Sequence, residues 1–231
     1  MLIAASAIAG FMAYRFTVPA TATVTALPVP IPSPAAPATA PAQGSPNSTS
    51  APAAAARTIP EEVPDVTLPD MAGHSHALRQ NSGRPRLYNF WASWCEPCRR
   101  EIPLLNALQA GYGKTDHLEI IGIAVDFRDA VRDFVARTRL DYTLLVGEEE
   151  GLEAAQRFGM ELALPFSVFA DDHNRIVAIK VGELHRDEAD LILGQLRALQ
   201  SGATTLPAAK AVIAESMKSL SLKRAKQSAG I

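Results

Sequence analysis

The two cysteines of this chain stand three residues apart in Trp94-Cys95-Glu96-Pro97-Cys98. They follow the strand-like run Leu87-Tyr88-Asn89-Phe90-Trp91 and precede a helical pattern, which places Cys95 at the positive end of a predicted helix. Closing so small a loop with a disulfide constrains the unfolded chain by only about 2 kcal/mol, so a structural staple is a poor use of the pair. A structural zinc site needs four ligands, usually with a second Cys or His pair at comparable spacing, and the sequence has none. His74 and His76 flank a predicted hairpin turn with no third ligand, so no metal is expected there. Covalent haem attachment needs a histidine after the second cysteine, where this chain has Arg99. Redox dithiol chemistry without a cofactor is the favoured reading, with a staple or a metal-handover site as the alternatives.

In that chemistry Cys95 is the attacking thiol, because it is the earlier and more exposed sulfur and the helix N-terminus stabilises its thiolate. A free cysteine titrates near about 8.5, and Cys-x-x-Cys sites fall to about 3.5–7.5. Cys98, one turn on, resolves the mixed disulfide. Pro97 suits the first helical turn, where its missing N–H costs nothing and its φ is already helical. Glu96 opposes thiolate formation by its negative charge.

The elements that must position this pair are legible from about Thr58 to Gln200, where short apolar runs alternate with helical periods in a βαβ rhythm. Val66 to Leu78 reads as a small hairpin turning at Ala72-Gly73. Arg86 to Trp91 is the first buried strand, followed by a helix from about Pro97 to Gly111 that Pro103 should kink. Leu118 to Val125 reads as a central strand covered on both faces. A helix over Ala130–Arg139, a strand over Thr143–Val146 and a short helix over Leu152–Phe158 come next. Phe166–Ala170 and Ile176–Val181 form a hairpin around Asp171-Asp172-His173-Asn174, and an amphipathic helix runs from Arg186 to Leu199. The fold class is α/β: a thioredoxin-like mixed sheet with a parallel first half, an antiparallel final hairpin and helices on both faces.

Outside residues 58–200 the composition changes. Residues 1–18 read as a membrane anchor or signal segment: Leu2 to Tyr14 is apolar or small, Arg15 interrupts, and Phe16-Thr17-Val18 resumes. Thirteen residues fall short of the roughly 20 a bilayer needs, and snorkelling of Arg15 lets the run to Val18 approach that length. Ala20-Thr21-Ala22 resembles a cleavage site, so a removed signal peptide competes with the retained anchor. Residues 19–57 are a Pro/Ala-rich disordered linker; nine prolines and no charge between 19 and 56 give it a reach on the order of 100 Å. An export segment and a long uncharged linker imply an extracytoplasmic, periplasmic domain tethered to the inner membrane, where dithiol chemistry has substrates. The net charge of −2 gives no footprint for nucleic acid. Residues 201–231 carry Lys210, Lys218, Lys223, Arg224 and Lys226 against Glu215. A disordered tail is the preferred reading, against a short basic helix along Ala209, Ile213, Met217 and Leu220 touching lipid or a partner.

The stretch Asn89-Phe90-Trp91-Ala92-Ser93-Trp94-Cys95-Glu96-Pro97-Cys98-Arg99-Arg100-Glu101-Ile102-Pro103 resembles the active-site motif of the TlpA/ResA branch of thioredoxin-like proteins at nearly every position, within a match spanning roughly residues 58–200. That resemblance implies a membrane-tethered or exported thiol-disulfide oxidoreductase. It also implies that Glu101 modulates thiol ionisation and proton transfer, with a surface carboxylate on the first helix as the bland alternative. Pro165, in Leu164-Pro165-Phe166, matches the family's cis-proline facing the dithiol, and Leu164 would offer backbone groups to a substrate segment by strand addition. Asn89 stands where thioredoxin carries a buried acid. Phe166 departs from the usual Thr, and its bulk is expected to narrow or line the partner groove. Trp91 and Trp94 are expected to pack around the active-site turn. Asp126, after a buried strand, reads equally as a ligand-end residue or a helix cap.

Together these point to an enzyme that reduces disulfides of protein substrates, is recharged by an upstream membrane thiol reductant, and has cytochrome c maturation as one destination implied by the resemblance. A disulfide oxidant or isomerase of the same fold is the runner-up, and a binding or copper-handling module the alternative from another class.

Overall fold

Six consecutive residues, Arg86–Trp91, are buried on both faces of a strand, β3, and this strand forms the centre of the sheet. The computed structural model describes residues 59–79, 83–161, 163–228 and 230. The expected hydrophobic segment, cleavage site and linker at residues 1–57 lie outside them. The chain divides into two units, Met1–Ser50 and Ala51–Ile231, and all described residues belong to the second.

A small antiparallel hairpin precedes β3, made of β1 (Thr67–Pro69) and β2 (Ser75–Ala77). Its turn is held by the Asp70 carboxylate, which accepts from the Ala72 and His74 amides at 2.8 and 2.9 Å, with Gly73 at φ +92°. After β3 come α1 (Glu96–Thr115), β4 (Glu119–Ala124), α2 (Arg128–Val135), β5 (Thr143–Val146) and α3 (Glu148–Arg157). Then follow β6 (Phe166–Ala170), β7 (Ile176–Val181), α4 (Arg186–Gln200) and α5 (Leu206–Ser228). The five-stranded sheet has the order β5-β4-β3-β6-β7, with β3, β4 and β5 parallel and β6 and β7 antiparallel to their neighbours. This is the expected mixed thioredoxin-like sheet.

Strand alternation sorts the core into two layers. Tyr88, Phe90, Ile121, Ile123, Phe166 and Val168 pack with Phe158 of the α3 end and with Leu68 of the hairpin. On the other face Leu87, Ile120 and Phe169 pack with Leu105 and Leu108 of α1 and Ile192 and Leu196 of α4. Helix α1 runs past the expected end at Gly111 to Thr115, with Pro103 inside it. Helix α3 starts a turn earlier than its apolar period indicates, because Glu148, Glu149 and Glu150 fill a first turn where negative charge is favourable.

The C-terminal segment departs from the preferred reading as a disordered tail. Residues 206–228 form one helix, α5, with Pro207 in its first turn. Ala209 and Ile213 are buried, and Ile213, Leu206 and Met217 join the α1/α4 core layer. Arg224 donates to Glu188 Oε1 and Asp187 Oδ1, both at 2.7 Å, and Lys180 Nζ reaches the same Glu188 oxygen at 3.0 Å. The basic residues of this segment thus include a cation that compensates a fully buried carboxylate. Among the described residues no helix is long and apolar enough to cross a membrane. Replacing Ile213 with Ala is expected to cost about 2–4 kcal/mol in urea unfolding, whereas a detached tail would leave stability unchanged.

Candidate active site

The dithiol sits where strand β3 hands over to helix α1. Cys95 is the N-cap residue, with extended backbone angles (φ −80°, ψ 107°), and its sulfur accepts from the Cys98 amide at 3.4 Å. The two sulfurs are joined at 2.04 Å. Cys95 is 5% exposed and Cys98 0%, so the sulfur at the helix end is the one with access to a partner. Pro97 occupies the first turn of α1. Glu96 is exposed and paired with Arg100 at 3.0 Å, and Arg100 also holds Glu183 at 2.7 Å, so the opposing charge beside Cys95 is partly neutralised.

Beneath the pair, Glu101 is buried, which removes the surface-carboxylate alternative. Asn89 Nδ2 donates to its Oε1 at 2.7 Å, and the Leu184 amide donates to its Oε2 at 2.8 Å. Asn89 Nδ2 also reaches Ser167 Oγ at 3.1 Å. Burial pushes the Glu101 carboxyl up to about 7, an effect that the two donors oppose, the nearby Glu183 charge reinforces and Lys180 moderates.

The opposite wall is the β6 entry. The Leu164–Pro165 peptide is cis, the Pro165 carbonyl accepts from the Gly182 amide at 2.8 Å, and half-buried Leu164 packs against the cluster that contains both cysteines. Phe166 does not line a groove. It is fully buried and stacks on Phe90 with ring centroids 4.2 Å apart, because its register opposite Phe90 on β3 turns the ring into the core layer away from α1. The two tryptophans also part company. Trp91 is buried beside the cysteines, tilted against Phe134 at 5.3 Å, while Trp94 is 63% exposed.

Asp126 had two readings and takes a third role. Its Oδ2 accepts from the Ser93 amide and hydroxyl at 2.8 and 2.6 Å, and its Oδ1 from the Phe127 amide at 2.8 Å. One buried carboxylate therefore clips the active-site loop to the start of α2, whose N-cap residue is Phe127, 64% exposed. Ser167 and Leu184 were not anticipated. An inward polar residue in the otherwise apolar Phe166–Ala170 strand was the available signal for the first, and a backbone donor leaves none.

His74 Nδ1 and His76 Nε2 both meet Asp70 Oδ2, at 3.2 and 3.0 Å. The His76 contact is the main influence holding Asp70 well below the usual carboxylate range. Among the described residues no group of three or more His, Cys, Asp or Glu is placed to hold a metal.

A buried disulfide at a helix N-terminus, over a buried carboxyl and beside a proline-led strand, is an arrangement for thiol-disulfide exchange. The Redoxin family profile matches residues 60–193. The chain belongs to the Redoxin family. It is 28% identical over 135 residues to thiol-disulfide oxidoreductase ResA of Geobacillus kaustophilus, covering 58% of this chain and 75% of that one. Thioredoxin-like protein YneN of Bacillus subtilis is 30% identical over 136 residues, covering 56% and 75%. Among solved structures, a Chlorobium tepidum chain assigned as a thiol:disulfide interchange protein of the DsbE type superposes with TM-score 0.53 at 26% identity, covering 60% of this Redoxin chain and 96% of its own.

The raised Glu101 carboxyl predicts a stability signature. The folded protein holds this proton up to about 7 while the unfolded chain releases it near 4.5, so the folded state binds more protons across that window and loses stability as pH rises through it. Relative to Glu101→Gln, the native protein should lose on the order of 3 kcal/mol between pH 4.5 and pH 8, read from urea unfolding of both at each pH.

Proposed function

We propose that this chain is a reductant of protein disulfides, working outside the cytoplasm from a membrane tether. It is a thiol-disulfide oxidoreductase of the thioredoxin-like Redoxin family. The reducing direction rests on one observation, the buried Glu101 carboxyl beneath the pair. Negative charge near the sulfurs disfavours the thiolate, and a dithiol whose reduced form is less stabilised is a stronger reductant.

In the reaction the Cys95 thiolate attacks one sulfur of the substrate disulfide, forming a mixed disulfide and expelling the other substrate sulfur as a thiolate. Cys98 then loses its proton to the Glu101 carboxylate and attacks the Cys95 sulfur. The second substrate sulfur departs, and both substrate thiolates take up protons. The substrate gains two electrons and the protein ends as the Cys95–Cys98 disulfide. Leu164 packs against the cluster that holds both cysteines, which supports its backbone as the surface along which an extended substrate segment would lie. A membrane thiol reductant restores the dithiol. Apocytochrome c is a fitting substrate, since haem attachment needs free thiols, and the relatives' names support an oxidoreductase without specifying its target. The apolar residues 2–18 and the uncharged linker support the tethered, periplasmic setting.

The reduction potential of the Cys95/Cys98 couple decides the direction: a value near about −270 mV is expected, and one near about −120 mV marks an oxidant instead. Cys98→Ser is expected to accumulate mixed disulfides with substrate proteins that dithiothreitol releases, while Cys95→Ser captures none. A Cys98→Ser protein that traps no partner and a dithiol that leaves insulin disulfides intact would refute the enzymatic reading.

A further inference from the structure

Two buried side-chain atoms among the described residues have no hydrogen-bond partner: Trp91 Nε1 and Tyr142 Oη. They belong to one place. A Cβ built on Gly122 would lie 2.8 Å from Tyr142 Cε2 and 3.2 Å from Trp91 Nε1, so both rings close over the same glycine, and only a residue without a side chain admits them. In the sheet Gly122 pairs with Asn89, the residue whose amide holds Glu101. The two orphaned groups, Asn89 and Glu101 therefore share the layer between β3, β4 and α1. Burial raises the Tyr142 hydroxyl pKa and the Glu101 charge raises it further. A buried N–H or hydroxyl left unpaired costs about 1–3 kcal/mol, and proteins satisfy such groups with an ordered water that makes about three hydrogen bonds.

We propose that Tyr142 is a positioning residue for the proton chemistry of Glu101: its hydroxyl and the Trp91 indole N–H hold one buried water against the carboxylate, and this unit sets the affinity of Glu101 for the proton it takes from Cys98. The inference deepens the reading of the site as a disulfide reductase and rests on it. Tyr142 acts as a hydrogen-bond donor to the water, which donates in turn to the carboxylate, so Tyr142 stays neutral throughout. The groups facing Glu101 are Asn89 from β3, Lys180 from β7, Glu183 and the Leu184 amide from the loop before α4, and Tyr142 from the segment before β5. Lys180 and Glu183 act in opposite senses on Glu101, and Lys180 is itself engaged by Glu188.

Tyr142 as a whole is half-buried. It lines a surface cavity of ≈ 670 Å³ with His117, Leu118, Glu119, Asp141 and Thr143. These residues lie at the beginnings of the parallel strands β4 and β5, while the dithiol follows the end of β3, so the cavity opens at the other end of the sheet.

Tyr142→Phe removes the hydroxyl and keeps the ring. In the oxidised full-length protein, infrared titration of the protonated carboxyl band assigned by its loss in Glu101→Gln should show the Glu101 midpoint rising by about one pH unit, a tenfold gain in proton affinity, because a donor to the charged form is lost. Trp91→Phe should move it in the same direction, and a high-resolution crystal structure should place a water within hydrogen-bond reach of Tyr142 Oη and Trp91 Nε1. An unmoved midpoint in a Tyr142→Phe protein with native circular dichroism and melting, or a dry site in the crystal, overturns the proposal. The titration requires no turnover, so a failure to reduce disulfides condemns the functional reading by itself while the band still decides the role of Tyr142.

Discussion

The site depends on keeping a carboxyl group inside the protein. Glu101 lies on the inner face of α1, and burying its charged form would be prohibitive without donors. Asn89 from β3 and the Leu184 amide from the loop before α4 supply one donor to each oxygen. Those two contacts join the central strand, the active-site helix and the last βα connection at a single side chain. The compromise leaves the carboxyl near neutrality, where it can change protonation state during a reaction.

The rest of the polar interior follows the same layer. Asn89, Ser167 and Lys180 are register neighbours across β3, β6 and β7, so the polar positions form a row across an otherwise apolar face. At its far end Lys180 meets Glu188, which is also held by Arg224 of α5. The helix beyond the span matched by the Redoxin profile therefore completes the charge balance of a row that begins under the cysteines.

Much of this was legible in the sequence because it is written in local patterns. The Cys95/Cys98 spacing, the apolar run of β3 and the Asp171–Asn174 turn each declare themselves within a few residues. Helix α5 was harder, since its lysines dominate its charge while its burial depends on a partner surface on α4 that no local pattern reveals. Phe166 was misplaced for a related reason: position after a proline suggested proximity to the dithiol, but register with Phe90 decides which face a strand residue occupies. Tyr142 carried no motif at all. Its meeting with Trp91 over Gly122 joins residues from three separate segments.

The Asp126 clip bears on how a partner is met. Ser93 adjoins Trp94, and both Ser93 and Phe127 are tied to the same carboxylate, so the loops bearing the two exposed rings are anchored to one point. Backbone freedom that a loose pair of loops would surrender at each encounter has been surrendered once, during folding. A docking protein meets aromatic surface already ordered, and the entropic cost of each association falls accordingly.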